Sequence, residues 1–168
     1  LEAAQLLKKR GINSIIVAFL FSFLNNQHEL RAKELINSVH PDAYVYTSSE
    51  VVNVIREYER FSSTAMNAYI GPKTASYLES LKSRLKSNNI GCQVRIMQSN
   101  GGISTIENSS DRPIGLLLSG PAGGVIGAKA TGEQNNISNI ITIDIGGTSA
   151  DISVIQDGNL RIKNPRDT

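Results

Sequence analysis

The chain has 168 residues, of which 40% are hydrophobic and 19% are charged. These proportions are typical of a globular protein, and the length is sufficient to bury a sizeable core. Its 17 basic and 15 acidic side chains leave a formal net charge of +2. Because the basic residues are also scattered, the composition argues against a protein that binds nucleic acid.

The cysteine content and the hydropathy pattern indicate a reducing compartment and no membrane span. The single cysteine, Cys92, excludes an internal disulfide and suits a reducing compartment, and we interpret it as a core or strand residue. The most apolar run, residues 14–24, is shorter than the roughly 20 residues that a membrane-spanning helix needs. We therefore expect a cytoplasmic protein that does not enter a membrane. The chain starts without Met inside a helix-like pattern, which indicates a fragment of a longer protein.

Helical and strand patterns alternate along the first part of the chain. Residues 1–11 predict a helix that ends at Gly11, and residues 12–23 predict a strand buried on both faces. Asn26 and Glu29 stand at the spacing of a capping box, which predicts that a second helix begins there. A strand over 43–49 and a largely helical segment over 49–71 are expected to follow.

The middle of the chain continues the alternation. The Gly71-Pro72 pair predicts a break, after which Leu78, Leu81 and Leu85 mark the buried face of a separate amphipathic helix. Residues 92–98 predict a strand, and Ser99 to Gly102 predict the turn after it. Helices and strands that alternate at this spacing indicate an α/β fold with a largely parallel sheet.

A stretch of small residues, "SGPAGGVIGAKA" from Ser119 to Ala130, predicts a helix with Pro121 at its first position. Its glycines lower helix propensity by nearly 1 kcal/mol each, which suggests that this face packs closely against another backbone or forms a hinge. On that interpretation, leucine at Gly124 or Gly127 would overpack the contact. The alternative is a glycine-rich loop.

The segment "IITIDIGGTSADISVI" predicts two antiparallel strands over 140–155, joined at Gly146 to Ser149. The backbone N–H groups of Gly146, Gly147 and Thr148 can converge on phosphate oxygens, and the hydroxyls of Thr148 and Ser149 add donors. Asp144 and Asp151 could hold Mg²⁺ through water. The alternative is an ordinary hairpin with polar turn residues.

These residues resemble the second phosphate loop of the actin, sugar-kinase and Hsp70 ATPase superfamily. The likeness is closer to one family, hydantoinase A/5-oxoprolinase, which includes acetone carboxylase beta subunits. The family is similar to this chain at "AFLFSFLNNQHE", "SSEVVNVIREYERFSSTAMNAYIGP", "IMQSNGGI" and "LLSGPAGGVIGA". The resemblance implies part of an actin-like (ribonuclease H-like) ATPase fold. Residues 1–118 would belong to the first lobe, 119–132 to a connecting helix, and 133–168 to the start of the second lobe.

The resemblance also implies roles for the glycine turn. Asp144 and Thr148 would be catalytic, Gly146, Gly147, Thr148 and Ser149 would bind the phosphates of ATP, and Asp144 with Asp151 would bind Mg²⁺. Two positions depart from the family: Ala150 replaces the usual threonine, and Phe61 replaces a small polar residue. The family's first phosphate loop and its adenosine site lie outside this sequence, so the fragment is not expected to hydrolyse ATP alone.

The implied activity is ATP-dependent hydrolysis of a cyclic amide, of the 5-oxoprolinase or N-methylhydantoinase type. A hydantoinase B-like partner subunit or fused domain would complete the reaction. Two alternatives stay open: the beta subunit of an ATP-dependent ketone carboxylase, and a non-catalytic nucleotide switch like Hsp70 or actin.

Three further features have two interpretations each. Gln98, Ser99 and Asn100 follow a strand and could contact substrate, or they could form a plain turn. The charged cluster from Arg56 to Ser63 could form structural ion pairs along a helix, or contact substrate or a partner subunit. His28 could bind a metal, or it could simply occupy the first turn of a helix.

Overall fold

The computed structural model describes residues 1–160, and residues 161–168, the end of the predicted second-lobe segment, lie outside the described residues. The helices of the described part are α1 Glu2–Lys9, α2 Gln27–Val39, α3 Ser48–Val51, α4 Glu57–Ser87, α5 Ile106–Asp111 and α6 Ser119–Gln134, with a 3-10 turn at Pro113–Leu116. The strands are β1 Ser14–Val17, β2 Tyr44–Thr47, β3 Ile96–Met97, β4 Ile103–Ser104, β5 Ile140–Ile145, β6 Ala150–Gln156 and β7 Asn159–Leu160. None of the helices in this part of the chain is long and apolar enough to cross a bilayer.

The chain divides into two compact units. The first unit contains residues 1–94 and 105–114, and the second contains 95–104 and the chain from 115 onward. The predicted division at 118 and 132 describes lobes of a longer protein and stays a prediction.

The core of the first unit is built on a β1–α2–β2 crossover. Strands β1 and β2 pair in parallel, with Ser14 opposite Tyr44 and Val17 opposite Thr47. Helices α2 and α4 pack against this pair, and the buried core includes Tyr46, Val51 and Ala68. The parallel pair confirms the α/β expectation for this unit. The prediction of a largely parallel sheet is wrong for the rest, since the other described strand pairs are antiparallel.

The predicted strand over 12–23 is wrong beyond Val17. After β1 the chain enters a turn in which Phe21 has a positive φ of 58°. The turn exposes large apolar side chains, namely Phe19, Leu20, Phe21 and Leu24. The N–H of Phe19 donates to Glu29, and its carbonyl accepts from Arg60, so neither group is free to extend the strand.

The predicted break at Gly71-Pro72 is also wrong, because α4 runs through both residues. Proline has no N–H to donate to the carbonyl four residues earlier, which is that of Ala68. The hydroxyl of Ser14 donates to this carbonyl instead, at 2.6 Å. Gly71 lies where the phenol of Tyr46 approaches the helix, and a Cβ there would collide with that ring. Both helix-disfavouring residues are therefore explained by contacts with β1 and β2.

The second unit contains two antiparallel sheets and helix α6. Strands β3 and β4 form a short hairpin, and β5, β6 and β7 form a three-stranded meander. Helix α6 packs against β5, where Gly132 lies against Ile140, and Ile155 of β6 is buried. The predicted strands over 140–155 and the join at Gly146 to Ser149 are confirmed.

Helix α6 is confirmed, but it begins at Ser119, so Pro121 occupies the third position. The residue before it, Leu118, has a left-handed conformation with φ 59°. A Cβ placed at Gly124 or Gly127 would meet no atom within 4 Å. The expected overpacking at these two glycines is therefore wrong for the described chain, and the close contacts are at Gly132 and, less tightly, at Gly123 against Met97.

Two smaller expectations also need correction. Cys92 is exposed and precedes β3, so it is neither a core nor a strand residue. Asn26 adopts an αR conformation and makes no side-chain cap, while Glu29 is fully buried. The predicted capping box does not form, because the carboxylate of Glu29 is turned inward to other donors.

Candidate functional site

The hairpin of β5 and β6 places its polar residues on one face. In the register of the two strands, Thr142 lies opposite Ser153 and Asp144 lies opposite Asp151. The alternate positions form an exposed apolar face, made of Ile141, Ile143, Ile145, Ala150, Ile152 and Val154. The pattern follows from the two-residue period of a strand, which puts residues 140, 142 and 144 on the same side.

Asp144 and Asp151 form a pair of like charges next to the glycine turn. Residues directly opposite in an antiparallel pair have Cβ atoms about 4.5–5.5 Å apart, and like charges in such positions are destabilising. Both side chains are exposed. A bound cation would convert this repulsion into attraction, so the arrangement fits a divalent metal at the end of the hairpin.

The turn is closed by one backbone hydrogen bond, and its tip is open to solvent. The N–H of Gly146 donates to the carbonyl of Ser149 at 2.9 Å, so this amide closes the hairpin. A Cβ at Gly147 would meet nothing within 4 Å. Gly147 and Thr148 therefore lie at a tip that a phosphate group can approach closely, and they are the turn residues whose amides remain candidates for binding it.

The residues present fit a phosphate-bound magnesium ion more closely than a metal held by protein alone. Within residues 1–160 no group of three or more His, Cys, Asp or Glu side chains could hold a metal. Mg²⁺ commonly takes one or two carboxylates and completes its shell with water and phosphate oxygens. Asp144 and Asp151 could supply the carboxylates.

The candidates Gln98, Ser99 and Asn100 lie in the turn between β3 and β4 in the second unit. The side chain of Asn100 accepts from the N–H of Gly102 at 2.8 Å, and the N–H of Ser99 donates to the carbonyl of Gly115 at 2.8 Å. The turn connects antiparallel strands, so the rule that ligands bind at the carboxyl ends of parallel strands does not apply to it. Asn100 has a clear structural role, and substrate contact stays a prediction.

The charged cluster from Arg56 to Ser63 contains a fully buried arginine, Arg60. Its guanidinium donates to Ser48 Oγ at 3.1 Å, to the carbonyl of Val54 at 2.9 Å and to that of Phe19 at 2.8 Å. The guanidinium also lies over the rings of Phe23 and Phe61, at 5.6 and 5.2 Å from their centroids. Phe61, the departure from the family pattern, therefore packs against this cation.

Ser48 connects Arg60 to a buried carboxylate. Its hydroxyl donates to Glu29 Oε1 at 2.6 Å, and Glu29 also accepts the N–H groups of Phe19 and Ser49. Burial acts to raise the pKa of Glu29, but these hydrogen bonds outweigh it and leave the pKa below the ordinary value. The network confirms a structural role for the cluster. Sequence reasoning missed Ser48, which lies 12 and 19 residues from its partners and carries no local signal.

The other residues that the sequence singled out lie at the surface or beside the turn. His28 is exposed in the first turn of α2, as one of its two interpretations predicts. Ala150 begins β6 opposite Ile145, beside the turn. Arg56 and Glu59 form an exposed i to i+3 ion pair at 3.5 Å.

Comparison with known proteins identifies the family. Residues 60–168 match the family described as Hydantoinase/oxoprolinase, and residues 1–40 match the Hydantoinase/oxoprolinase N-terminal region. Since the first match covers more than half of the chain, the protein belongs to the hydantoinase/oxoprolinase family.

Individual relatives agree with this assignment. The chain is 30% identical to caprolactamase subunit alpha of Pseudomonas jessenii, covering 98% of this chain and 24% of the relative. It is 36% identical to 5-oxoprolinase of Saccharomyces cerevisiae, covering 93% of this chain and 12% of that protein. It superposes on a nucleotide-free structure of acetone carboxylase, from work on ATP-dependent acetone carboxylation, with a TM-score of 0.82 and 29% identity.

The superposition covers 97% of this chain and 23% of the acetone carboxylase chain. It agrees with an α/β fragment of an actin-like ATPase fold. The chain thus spans a quarter or less of the length of these relatives.

Proposed function

We propose that this chain is part of an ATP-dependent cytoplasmic enzyme that opens a cyclic amide, and that the β5–β6 hairpin binds the terminal phosphates of the nucleotide. The observation that carries the proposal is the register pair Asp144 and Asp151 on one face of the hairpin, beside the open tip at Gly147. The family membership supports the same reading, since relatives include a caprolactamase subunit and a 5-oxoprolinase.

Each residue of the hairpin has a distinct task in this proposal. Asp144 and Asp151 orient Mg²⁺ through its water shell, and their mutual repulsion falls when the ion is present. The amides of Gly147 and Thr148, with the hydroxyls of Thr148 and Ser149, hold phosphate oxygens in line for transfer. These groups contribute positioning and neutralisation of charge, and none of them acts as a covalent nucleophile.

The chemistry explains why such an enzyme uses a nucleotide. An amide is a poor electrophile because resonance places electron density on its oxygen. When bound, ATP would supply a phosphoryl group to this oxygen, which makes the carbonyl carbon electrophilic. Water would then add to that carbon at a site that a partner contributes, and the C–N bond would break with the proton going to nitrogen. A second water would release the phosphate and leave the carboxylate.

The proposed partner is a hydantoinase B-like subunit or fused domain. The matched stretch makes up 24% of caprolactamase subunit alpha but 12% of yeast 5-oxoprolinase, so the second protein is about twice as long. A chain of double length suits a protein that carries the partner's portion within itself. The shorter relative is named as a subunit.

A ketone carboxylase beta subunit is the second candidate, because of the structural similarity to acetone carboxylase. The two candidates are separated by the substrate that stimulates ATP turnover. We expect the full-length protein with its partner to release phosphate in the presence of a lactam or 5-oxoproline, and not with acetone and bicarbonate. Stimulation by the ketone alone would contradict the proposal, and turnover without any stimulation would indicate a nucleotide switch.

A further inference from the structure

A cavity of about 270 Å³ in the first unit lies at the carboxyl end of β2. Its polar lining comes from three segments and consists of Lys33, Tyr46, Thr47, Glu50, Asp111 and Arg112. In the part of the chain described, β2 pairs only with β1, so its second edge has no strand partner. Crevices at the carboxyl ends of parallel strands are common ligand sites in α/β proteins.

Two of the four charged groups neutralise each other. Lys33 Nζ contacts Glu50 Oε2 at 2.8 Å, and Thr47 Oγ1 donates to the same oxygen at 2.6 Å. Burial acts to raise the pKa of Glu50, but the hydrogen bonds from Lys33 and Thr47 outweigh it and lower the pKa. Glu50 is therefore an ionised, already paired carboxylate.

The other two charged groups are not paired with each other. One nitrogen of the Arg112 guanidinium donates to the carbonyl of Val51, which fixes the side chain at the cavity wall. Within residues 1–160 neither Arg112 nor Asp111 has an ion-pair partner within 4.0 Å. The cavity therefore presents one cation with free N–H groups and one free carboxylate.

Tyr46 also lines the cavity, but its hydroxyl is buried against Gly71 of α4 and is not offered to a ligand. Burial, followed by the charges of Tyr44 and Asp111, raises the pKa of Tyr46 to about 12. The side chain is 7% exposed, and its hydroxyl has no hydrogen-bond partner in the described residues.

We propose that this cavity binds a small amino acid as a zwitterion, with the ligand's carboxylate on Arg112 and its ammonium group on Asp111. One free cation and one free carboxylate complement a ligand that carries both charges. The volume is just below the roughly 300–1,000 Å³ of pockets for drug-sized ligands, which suits a smaller molecule.

The proposed function, on which this inference rests, supplies such a molecule. Hydrolysis of a lactam breaks the C–N bond, forms a C–O bond from water and leaves hydrogen on nitrogen. The product carries a carboxylate and an ammonium group, as the cavity requires. The product of a ketone carboxylase has no ammonium group. The cavity is thus a product-binding site that favours lactams as the substrate class.

The test is isothermal titration calorimetry on the full-length protein with its partner, using 6-aminohexanoate and L-glutamate as probes. We expect Asp111→Asn and Arg112→Gln each to weaken binding of the better probe by roughly 10-fold or more, the effect of losing one charge-assisted contact. Glu107→Gln is the matched control, because Glu107 lies in α5 and pairs with Lys82 at 3.0 Å outside the cavity. Hexanoate and hexylamine, which each lack one charge, should bind at least 10-fold more weakly than 6-aminohexanoate.

Thermal melts identify any variant that fails to fold, and the two substitutions provide independent tests. Equal binding by wild type and both folded variants, or no binding of either amino acid, would overturn the inference. Phosphate release stimulated by caprolactam or 5-oxoproline is measured on the same preparations. If lactams stimulate phosphate release but the Asp111 and Arg112 variants bind the product as wild type does, the cavity assignment is wrong and the proposed function is unaffected. If lactams do not stimulate phosphate release, both the proposed function and the assignment of the ligand as its product are wrong.

Discussion

Arg60 is a fully buried arginine that holds two stretches of irregular backbone in the first unit. Its charge is removed from water, yet its three hydrogen bonds and two aromatic contacts replace much of the lost solvation. Two of the acceptors are carbonyls of irregular segments, at Phe19 and Val54. A single side chain thus fixes backbone that neither sheet nor helix pairing holds.

Arg60→Ala should destabilise the protein by about 3–5 kcal/mol, because it leaves buried acceptors without a donor. Arg56→Ala removes the same type of side chain from an exposed pair and should cost about 1 kcal/mol or less. Urea denaturation of both variants measures the difference. Equal midpoints for the two would contradict the role assigned to Arg60.

Glu29 should make the free energy of unfolding fall as the solution becomes acidic. Its pKa in the folded protein lies below the ordinary value of 4.5, so its contribution is fully present above pH 4.5 and is lost as pH falls through the folded pKa. Glu29→Gln should flatten the stability profile below pH 4.5. The measurement is the urea midpoint against pH, and an unchanged slope in the variant would refute the argument.

Helix α4 shows how a tertiary contact can override a local sequence signal that predicts the end of a helix. A proline in a helix interior costs about 3 kcal/mol, in part through the lost hydrogen bond. Ser14 restores a donor for the carbonyl of Ala68 and ties the helix to β1. The 31-residue helix therefore continues where its sequence predicts an end.

Ser14→Ala should destabilise the protein by about 1–3 kcal/mol, because a half-buried carbonyl is left unsatisfied. In a Pro72→Ala background the same change should cost clearly less, since alanine restores the N–H that the carbonyl needs. A double-mutant cycle of urea midpoints measures this coupling. Additive effects would show that the hydroxyl and the proline act independently.

The contrast between α4 and the β5–β6 hairpin explains what sequence could predict. The hairpin is specified locally, by strand patterns on both sides of a glycine turn, so its register and the pairing of Asp144 with Asp151 follow from counting. The course of α4 depends on Ser14, 54 residues away from Ala68. The buried role of Glu29 likewise depends on Ser48 and Phe19, and the local capping-box spacing was misleading.

At the scale of the whole molecule, the hairpin is the part of the proposed nucleotide site that this chain supplies. The chain covers 23% of the acetone carboxylase chain that it superposes on. The exposed apolar face of the hairpin, opposite to Asp144 and Asp151, requires cover that the described residues do not provide. The proposed activity must therefore be measured on the full-length protein with its proposed partner.

The decisive measurement is amide-stimulated phosphate release by Asp144→Asn, compared with Asp157→Asn. Both changes remove one charge from an exposed aspartate of the β5–β7 sheet, but Asp157 lies at the turn between β6 and β7, away from Asp144's end of the hairpin. Losing the metal's anchor and the alignment of the phosphate should reduce the rate by roughly 10²-fold or more in Asp144→Asn. Asp157→Asn should stay within a few-fold of wild type, and melts without nucleotide should show both variants folded. Near-normal turnover by Asp144→Asn would contradict the assignment of the hairpin as the phosphate and magnesium site.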